Sequence, residues 1–373
     1  MTAQTVLPRL RAATEAMVAD LEALVMHETP SEDLDAVRSG CAAFANLIAR
    51  RLGTRPDIVE REGRPHVLLR TGASPRVLLL GHLDTVWPRG TTARWPFTRD
   101  GDHASGPGTF DMKAGLVQGL HAIGAGVDLD DVALLVTTDE EIGAGTSQAL
   151  IEQQAAGMAA VLVLEPSAAG ALKTARKGVS AYVLEVTGRA SHAGLEPEAG
   201  VNALLELADH LPVIAAMGDS DAGTSVSPTR ATAGTTMNTI PARATADVDV
   251  RAWTVAEQQR VDELLRGLRA QRPGARLTLH GGINRPPLEA AMSAGLFDLA
   301  TECAARLGLV APTGAAVGGG SDGNFTAALG IPTLDGLGPV GDGAHAEGEH
   351  ILVSAMAERA ALVHLMVTAL VDG

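Results

Sequence analysis

Continuous apolar runs alternate with segments whose apolar residues recur every three or four positions. "RVLLLGH" (76–82), "VALLVTT" (132–138) and "AAVLVLE" (159–165) have the length and the Val/Leu/Ala content of strands buried on both faces. Between the first two, "DMKAGLVQGLHAI" (111–123) carries the spacing of a helix, as does the amphipathic N-terminus "MTAQTVLPRLRAATEAMVADLEALV". Strands alternating with helices predict a doubly wound α/β sheet, a fold that collects functional groups at the carboxyl ends of its strands.

From about Gly178 the pattern changes. "GVSAYVLEVTG" alternates with period two, "GVNALLELADHLPVIAAM" is helical, and "TRATAGTTMNTI" and "ARATADVDVRAW" read as consecutive strands joined near Pro241. "VAEQQRVDELLRGLRAQ" is helical again and "ARLTLHG" is a strand, which completes a β-α-β-β-α-β order, that of a ferredoxin-like α+β sandwich. After Asn284 helix and strand alternate once more ("LFDLATECAARLG", "IPTLDGLG"), and a helix from about Val353 closes the chain. The expected organisation is a discontinuous α/β domain, residues 1–177 plus 284–373, interrupted by a compact inserted domain, 178–283.

Composition narrows the class. Aromatic residues make up 2% of the 373 residues, so Ala, Val and Leu must fill the core. Cys41 and Cys303 are too few for a disulfide framework or a thiolate metal cluster, which fits a reducing compartment. The N-terminal segment has no uninterrupted apolar core of the signal-peptide kind, and no run approaches the roughly twenty apolar residues of a membrane span; a cytoplasmic protein without a membrane partner is expected. With 29 basic against 44 acidic residues, a formal charge of −15 argues against nucleic acid as a partner.

Acidic and imidazole groups cluster at the strand ends. "LLLGHLDTV" presents His82 and Asp84, "LLVTTDEEIG" presents Glu140 and Glu141, and "VLVLEPS" presents Glu165. "GPGTFDMKAG" sets Asp111 at the start of a helix, and "GDGAHAEGEH" offers His345 in a Gly-rich loop. Side chains two apart on a strand share a face, so Asp84 is placed to stand behind His82 and set its tautomer. Each residue has a plainer reading alone: Asp111 as a helix N-cap, His82 and Glu165 as polar strand ends, His345 as a solvated loop residue. Adjacent Glu140 and Glu141 resist that treatment, because converging carboxylates repel unless a cation or a shared proton intervenes. Together these residues point to a metal site.

The motifs "GHLDTVWP", "GPGTFDMKAGL", "TTDEEIGAGTS", "LEPS", "GRASHAGLEPEAGVNAL", "NTIPARATADVDVR", "NRPP", "GGGSDGNF" and "GAHAEGEHI" run in one order through nearly the whole chain. In that set and order the sequence resembles the carboxypeptidase G-type zinc metallopeptidases, relatives of aminoacylases, acetylornithine deacetylases and succinyl-diaminopimelate desuccinylases. The resemblance implies two zinc ions, replaceable by cobalt or manganese, with Asp111 bridging them. His82 and Glu165 complete one site, Glu141 and His345 the other, and Asp84 orients His82. Glu140, pointing the opposite way from its strand neighbour Glu141, becomes the general base for a metal-activated water. The resemblance also implies a homodimer formed through the inserted domain. His192 of "RASHAG", otherwise a polar turn residue, then stabilises the oxyanion in the partner's active site. Arg285 of "NRPP" grips a substrate carboxylate with Asn238 of "NTIP" nearby. "DMKAG" puts Ala114 where many relatives carry Gly.

"VGGGSDGNF" is followed by no Gly-Lys-Ser/Thr, so it reads as substrate-pocket lining and not as a phosphate loop. The expected activity is hydrolysis of an amide bond beside a C-terminal, carboxylate-bearing amino acid, glutamate being one candidate. An N-acyl amino acid deacylase and a non-catalytic metal-dependent binding protein are the competing readings. A small peptide or an N-acyl amino acid is the substrate in either enzymatic case.

Overall fold

The computed structural model describes residues 3–373 and divides into two compact units. The first comprises residues 3–175, 290–317 and 321–373; the second comprises 176–289 with 318–320.

In the first unit a six-stranded sheet runs in the order Asp57–Arg61, Arg64–Leu69, Val132–Thr137, Val77–His82, Ala160–Val163, Thr333–Leu334. The last four are mutually parallel, and the first two add an antiparallel edge. Both faces are covered, which is why the central strands are apolar throughout. Val77, Leu79, Leu134 and Leu162 join the core built with the terminal helices, whereas Leu78, Leu80, Leu135 and Val163 join a second core containing Leu150, Ile151 and Phe325. The closing helix, Val353–Asp372, is among the described residues the one long and apolar enough to cross a membrane, yet 61% of that stretch is buried against this unit. It is a core helix.

The N-terminal segment forms two helices, Ala3–Ala12 and Thr14–Val25, broken at Ala13. The segment expected to be helical from Asp111 begins its regular helix only at Ala114 and runs to Gly124. Residues Thr109–Lys113 form a wide turn that contains Asp111, and the N-cap position of the regular helix falls on Lys113, so Asp111 is not its N-cap. The helix after the turn passes so close to a neighbouring strand end that a Cβ at Gly115 would stand 2.0 Å from the Leu164 carbonyl oxygen. Glycine there brings the Asp111 turn against the Glu165 segment.

The second unit is an antiparallel sheet in the order Ser225–Ala233, Arg243–Ala252, Gly178–Thr187, Arg276–Arg285, with helices Ala203–Ala215 and Val255–Arg266. Tyr182, Leu184 and Val186 alternate inward and meet Leu207, Ile214, Val261 and Leu265 of the helices. Asn202 and Thr254 cap these helices by accepting hydrogen bonds from Leu205 N and Glu257 N. This is the ferredoxin-like order. Two details differ from the sequence reading. The strand expected over "TRATAGTTMNTI" ends at Ala233, and Thr239–Ile240 pair instead with Ser191–His192. The last strand continues beyond the boundary expected at residue 284 and ends at Arg285, opposite Val179.

Candidate metal centre

Every residue expected to hold or orient metal lies in the first unit, at the carboxyl end of its sheet or in the loops above it. His82 ends its strand. Its Nδ1 faces the Asp84 carbonyl oxygen at 3.0 Å and the Asp84 carboxylate at 3.5 Å. Both are acceptors, so the ring keeps its proton on Nδ1 and turns the Nε2 lone pair toward the cleft. Asp84 is fully buried and is itself held by Ser31 Oγ, which donates to its Oδ2 at 2.7 Å.

Asp111 stands between two imidazoles. His82 Nε2 lies 3.2 Å from its Oδ1 and 3.4 Å from Glu165 Oε1, while His345 Nε2 lies 3.5 Å from its Oδ2 and 3.1 Å from Glu141 Oε2. Four bonds of about 2.0–2.1 Å arranged tetrahedrally around zinc separate the donor atoms by about 3.3 Å. The observed separations match that edge length on both sides of Asp111. One oxygen of the same carboxylate serves each side, and the all N/O donor set suits zinc.

The electrostatics of the protein groups point the same way. Burial alone would raise the Asp111 carboxyl, but hydrogen bonds from His345 and His82 and the nearby Lys173 charge drive it far below the usual range. Hydrogen bonds to Asp111 and Glu141 push His345 up to about 10. Burial opposes charging His82, yet Asp111, Asp84 and Glu165 together hold it well above its ordinary value. Burial, aided by the Asp111 charge, raises Glu141. The acidic groups impose a demand for positive charge, and here the two imidazoles answer it.

Glu140 and Glu141 were expected to diverge as strand neighbours; they instead begin a 3-10 turn, Glu140–Ile142, after the strand has ended at Thr137. Successive residues of such a turn are rotated by about 120°, which separates the two side chains just as effectively. Ligand atoms of His82, Asp111 and Glu141 lie within 4.8 Å of one another, and so do those of His82, Glu140 and Glu165. Asp139 clamps the turn: its Oδ2 accepts from Thr146 N and Oγ1 at 2.7 Å each, and its backbone oxygen accepts from Ala144 N. His345 takes a left-handed backbone (φ 61°), which costs a non-glycine residue on the order of 1 kcal/mol and is common where a side chain must be aimed.

The remaining candidates lie in the second unit. His192 is exposed, and its Nδ1 accepts hydrogen bonds from Gly194 N and Leu195 N, both at 3.1 Å. Its proton therefore sits on Nε2, which is left as a donor. Asn238 is its neighbour, since Ala193 N donates to the Asn238 oxygen and His192 pairs with Thr239. Arg285 is 6% exposed, with its backbone oxygen held by Gln258 Nε2.

Two residues beside the centre were not singled out in the sequence. Lys113 is buried, and its Nζ donates to Leu24 O and His27 O at the carboxyl end of the Thr14–Val25 helix; burial lowers it to about 8, against the pull of Glu349 and Glu28. Glu349 is fully buried and accepts from four N–H groups. No local pattern announces it, because all four donors lie more than 230 residues earlier in the chain.

The sequence model of Peptidase family M20/M25/M40 matches residues 78–369. Carboxypeptidase G2 of Pseudomonas sp. (strain RS-16) is 33% identical over 94% of this chain and 88% of its own length. N-acetyl-L-citrulline deacetylase of Xanthomonas campestris pv. campestris is 28% identical over 49% of this chain and 50% of its own. Among solved structures, the Bacillus subtilis YXEP protein, a dinuclear metal binding peptidase, superposes with a TM-score of 0.65 over 96% of this chain and 99% of its own at 16% identity, a likeness of fold.

Proposed function

The chain belongs to Peptidase family M20/M25/M40 and is a metallopeptidase or amidohydrolase of that family; from that premise we propose that it is a dizinc enzyme cleaving an amide bond next to a C-terminal, carboxylate-bearing amino acid. The observation that carries the reading is the division of Asp111, one oxygen toward His82 and Glu165 and the other toward His345 and Glu141. When bound, the two zinc ions supply Lewis acidity that polarises the scissile carbonyl and makes water a nucleophile near neutral pH.

The protein groups do the rest. Asp84 keeps the proton of His82 on Nδ1. Glu140, adjacent to the His82 and Glu165 donors, takes a proton from the attacking water and returns it to the leaving nitrogen. His192, held by two backbone N–H groups in the tautomer that donates from Nε2, is suited to bind the developing oxyanion and is supplied by a second copy of the chain. Arg285, with Asn238, receives the substrate carboxylate through its forked guanidinium. Likeness to carboxypeptidase G2 over most of both chains supports that substrate class, with glutamate as a candidate leaving group. A second reading, removal of an acyl group from an N-acyl amino acid, is favoured by the likeness to N-acetyl-L-citrulline deacetylase.

The test is a mass-spectrometric screen of N-acyl amino acids and dipeptides with zinc-loaded protein. Release of the C-terminal amino acid, abolished by a chelator and restored by zinc, is expected. Turnover that survives metal removal defeats the dizinc reading, and cleavage confined to N-acetyl or N-succinyl substrates selects the second one.

A further inference from the structure

Asp111 and His345 are proposed ligands borne by irregular loops, where no strand ladder fixes the backbone. The Asp111 turn directs three backbone N–H groups, those of Gly108, Phe110 and Asp111, at a single acceptor, the carboxylate of Glu349. Oε1 accepts from Phe110 N at 2.7 Å and Asp111 N at 2.9 Å; Oε2 accepts from Gly108 N at 3.1 Å and from Trp87 Nε1 at 2.9 Å. Trp87 stands three residues after Asp84, and Glu349 four residues after His345. One fully buried carboxylate therefore joins the loop that follows His82 and Asp84, the loop of Asp111 and the loop of His345.

A negative charge placed behind a cluster of carboxylates costs energy, and a neutral side chain would be the simpler filler. Four N–H donors of fixed direction change that balance, since a carboxylate has the lone pairs to accept from all four and no donor of its own to conflict with them. Its backbone also belongs to the joint, because Ser105 Oγ donates to Glu349 O at 2.7 Å.

We propose that Glu349 is a positioning residue for the metal pair, a latch that holds Asp111 and His345 at ligand distance from each other before any cation arrives. The proposal rests on the dizinc reading of the site. Its consequence is quantitative: preorganised ligands bind metal more tightly, and losing an outer-shell partner of this kind typically weakens affinity 10- to 100-fold.

The experiment compares zinc affinity in the parent and in Glu349→Gln by competition with a chromophoric chelator, on protein shown to be folded by circular dichroism. Glutamine keeps one acceptor oxygen and turns an NH2 group toward two of the four donors. An affinity loss of about 10- to 100-fold in the folded variant is expected. A purely structural role would lower the melting temperature and leave the affinity of the folded protein unchanged, and that result overturns the proposal. Should Glu349→Gln not fold, Trp87→Phe decides: it removes the Nε1 donor, leaves an aromatic ring in place, and is expected to weaken zinc binding about fivefold, the equivalent of one hydrogen bond. Unchanged affinity in that variant overturns the latch. Parent protein that binds no zinc at all overturns the dizinc reading and this proposal together, whereas two zinc ions bound with equal affinity by parent and folded Glu349→Gln overturn this proposal alone.

Discussion

At Asp111 burial and ion pairing act in opposite directions on one carboxyl, and pairing wins because two imidazoles approach its two oxygens from different sides. Its turn conformation is what allows that double approach; a helix N-cap would have spent one oxygen on the backbone. Glu140 poses the complementary question, since it sits close enough to His82 and Glu165 to ligate yet is assigned the proton-transfer role. Replacing it with Gln separates the alternatives. As a general base, Glu140→Gln should retain the parent's zinc content by elemental analysis and lose about 10²- to 10⁴-fold in kcat. Loss of one zinc ion with the substitution would make Glu140 a ligand instead, and unchanged turnover would remove it from the reaction.

Among the elements, the strand ends supply reach and the turns supply direction. The strand ending at Thr137 delivers the Glu140–Ile142 turn to the cleft, and the Asp139 clamp sets how that turn faces. Three helices are tied together behind the sheet by another carboxylate. Asp20 of Thr14–Val25 accepts from Arg51 Nε of Leu34–Leu52 at 2.7 Å and lies 2.8 Å from His121 Nε2 of Ala114–Gly124. Burial works against its charge, and the bonds from His121 and Arg51 overcome that and hold its carboxyl below the ordinary value. Because the folded state binds this proton less readily than the unfolded chain, the contribution to stability is complete above the unfolded value of about 3.9 and drains away as pH falls through the folded one. Asp20→Asn should therefore cost about 1–3 kcal/mol in urea unfolding at pH 7. The difference from the parent should shrink toward zero in strong acid; a gap that persists unchanged there would show that packing, not charge, is responsible.

At the scale of the molecule the proposed assembly can be tested through chemistry. Helix Ala203–Ala215 exposes Leu204, Leu205 and Val213, and Ser225–Ala233 is an edge strand, features that a partner would cover. If a second copy supplies His192, then Glu140→Gln and His192→Ala, each inactive alone, should complement each other when mixed. Random exchange of subunits leaves about one quarter of the sites with both an intact base and an intact histidine, so about a quarter of parental activity should return. Mixtures that stay inactive despite proven exchange would place His192 in its own chain's reaction or outside it.

The sequence alone determined what depends on neighbours along the chain. Two-faced burial forces continuous apolar runs, and one-faced burial forces alternation, so the strands at 77–82 and 132–137 and the ferredoxin-like order after Gly178 were legible from the pattern. Motif order also singled out His82, Asp111, Glu141, Glu165 and His345, the residues proposed as ligands, whose side chains the fold brings together. Only the tertiary structure decided how those groups face one another. The split of Asp111 between two imidazoles, the 3-10 turn that parts Glu140 from Glu141, and the four donors around Glu349 arise from segments up to 262 residues apart. Hydrogen bonds and charges act over a few ångströms of space, and distance along the chain carries no record of them.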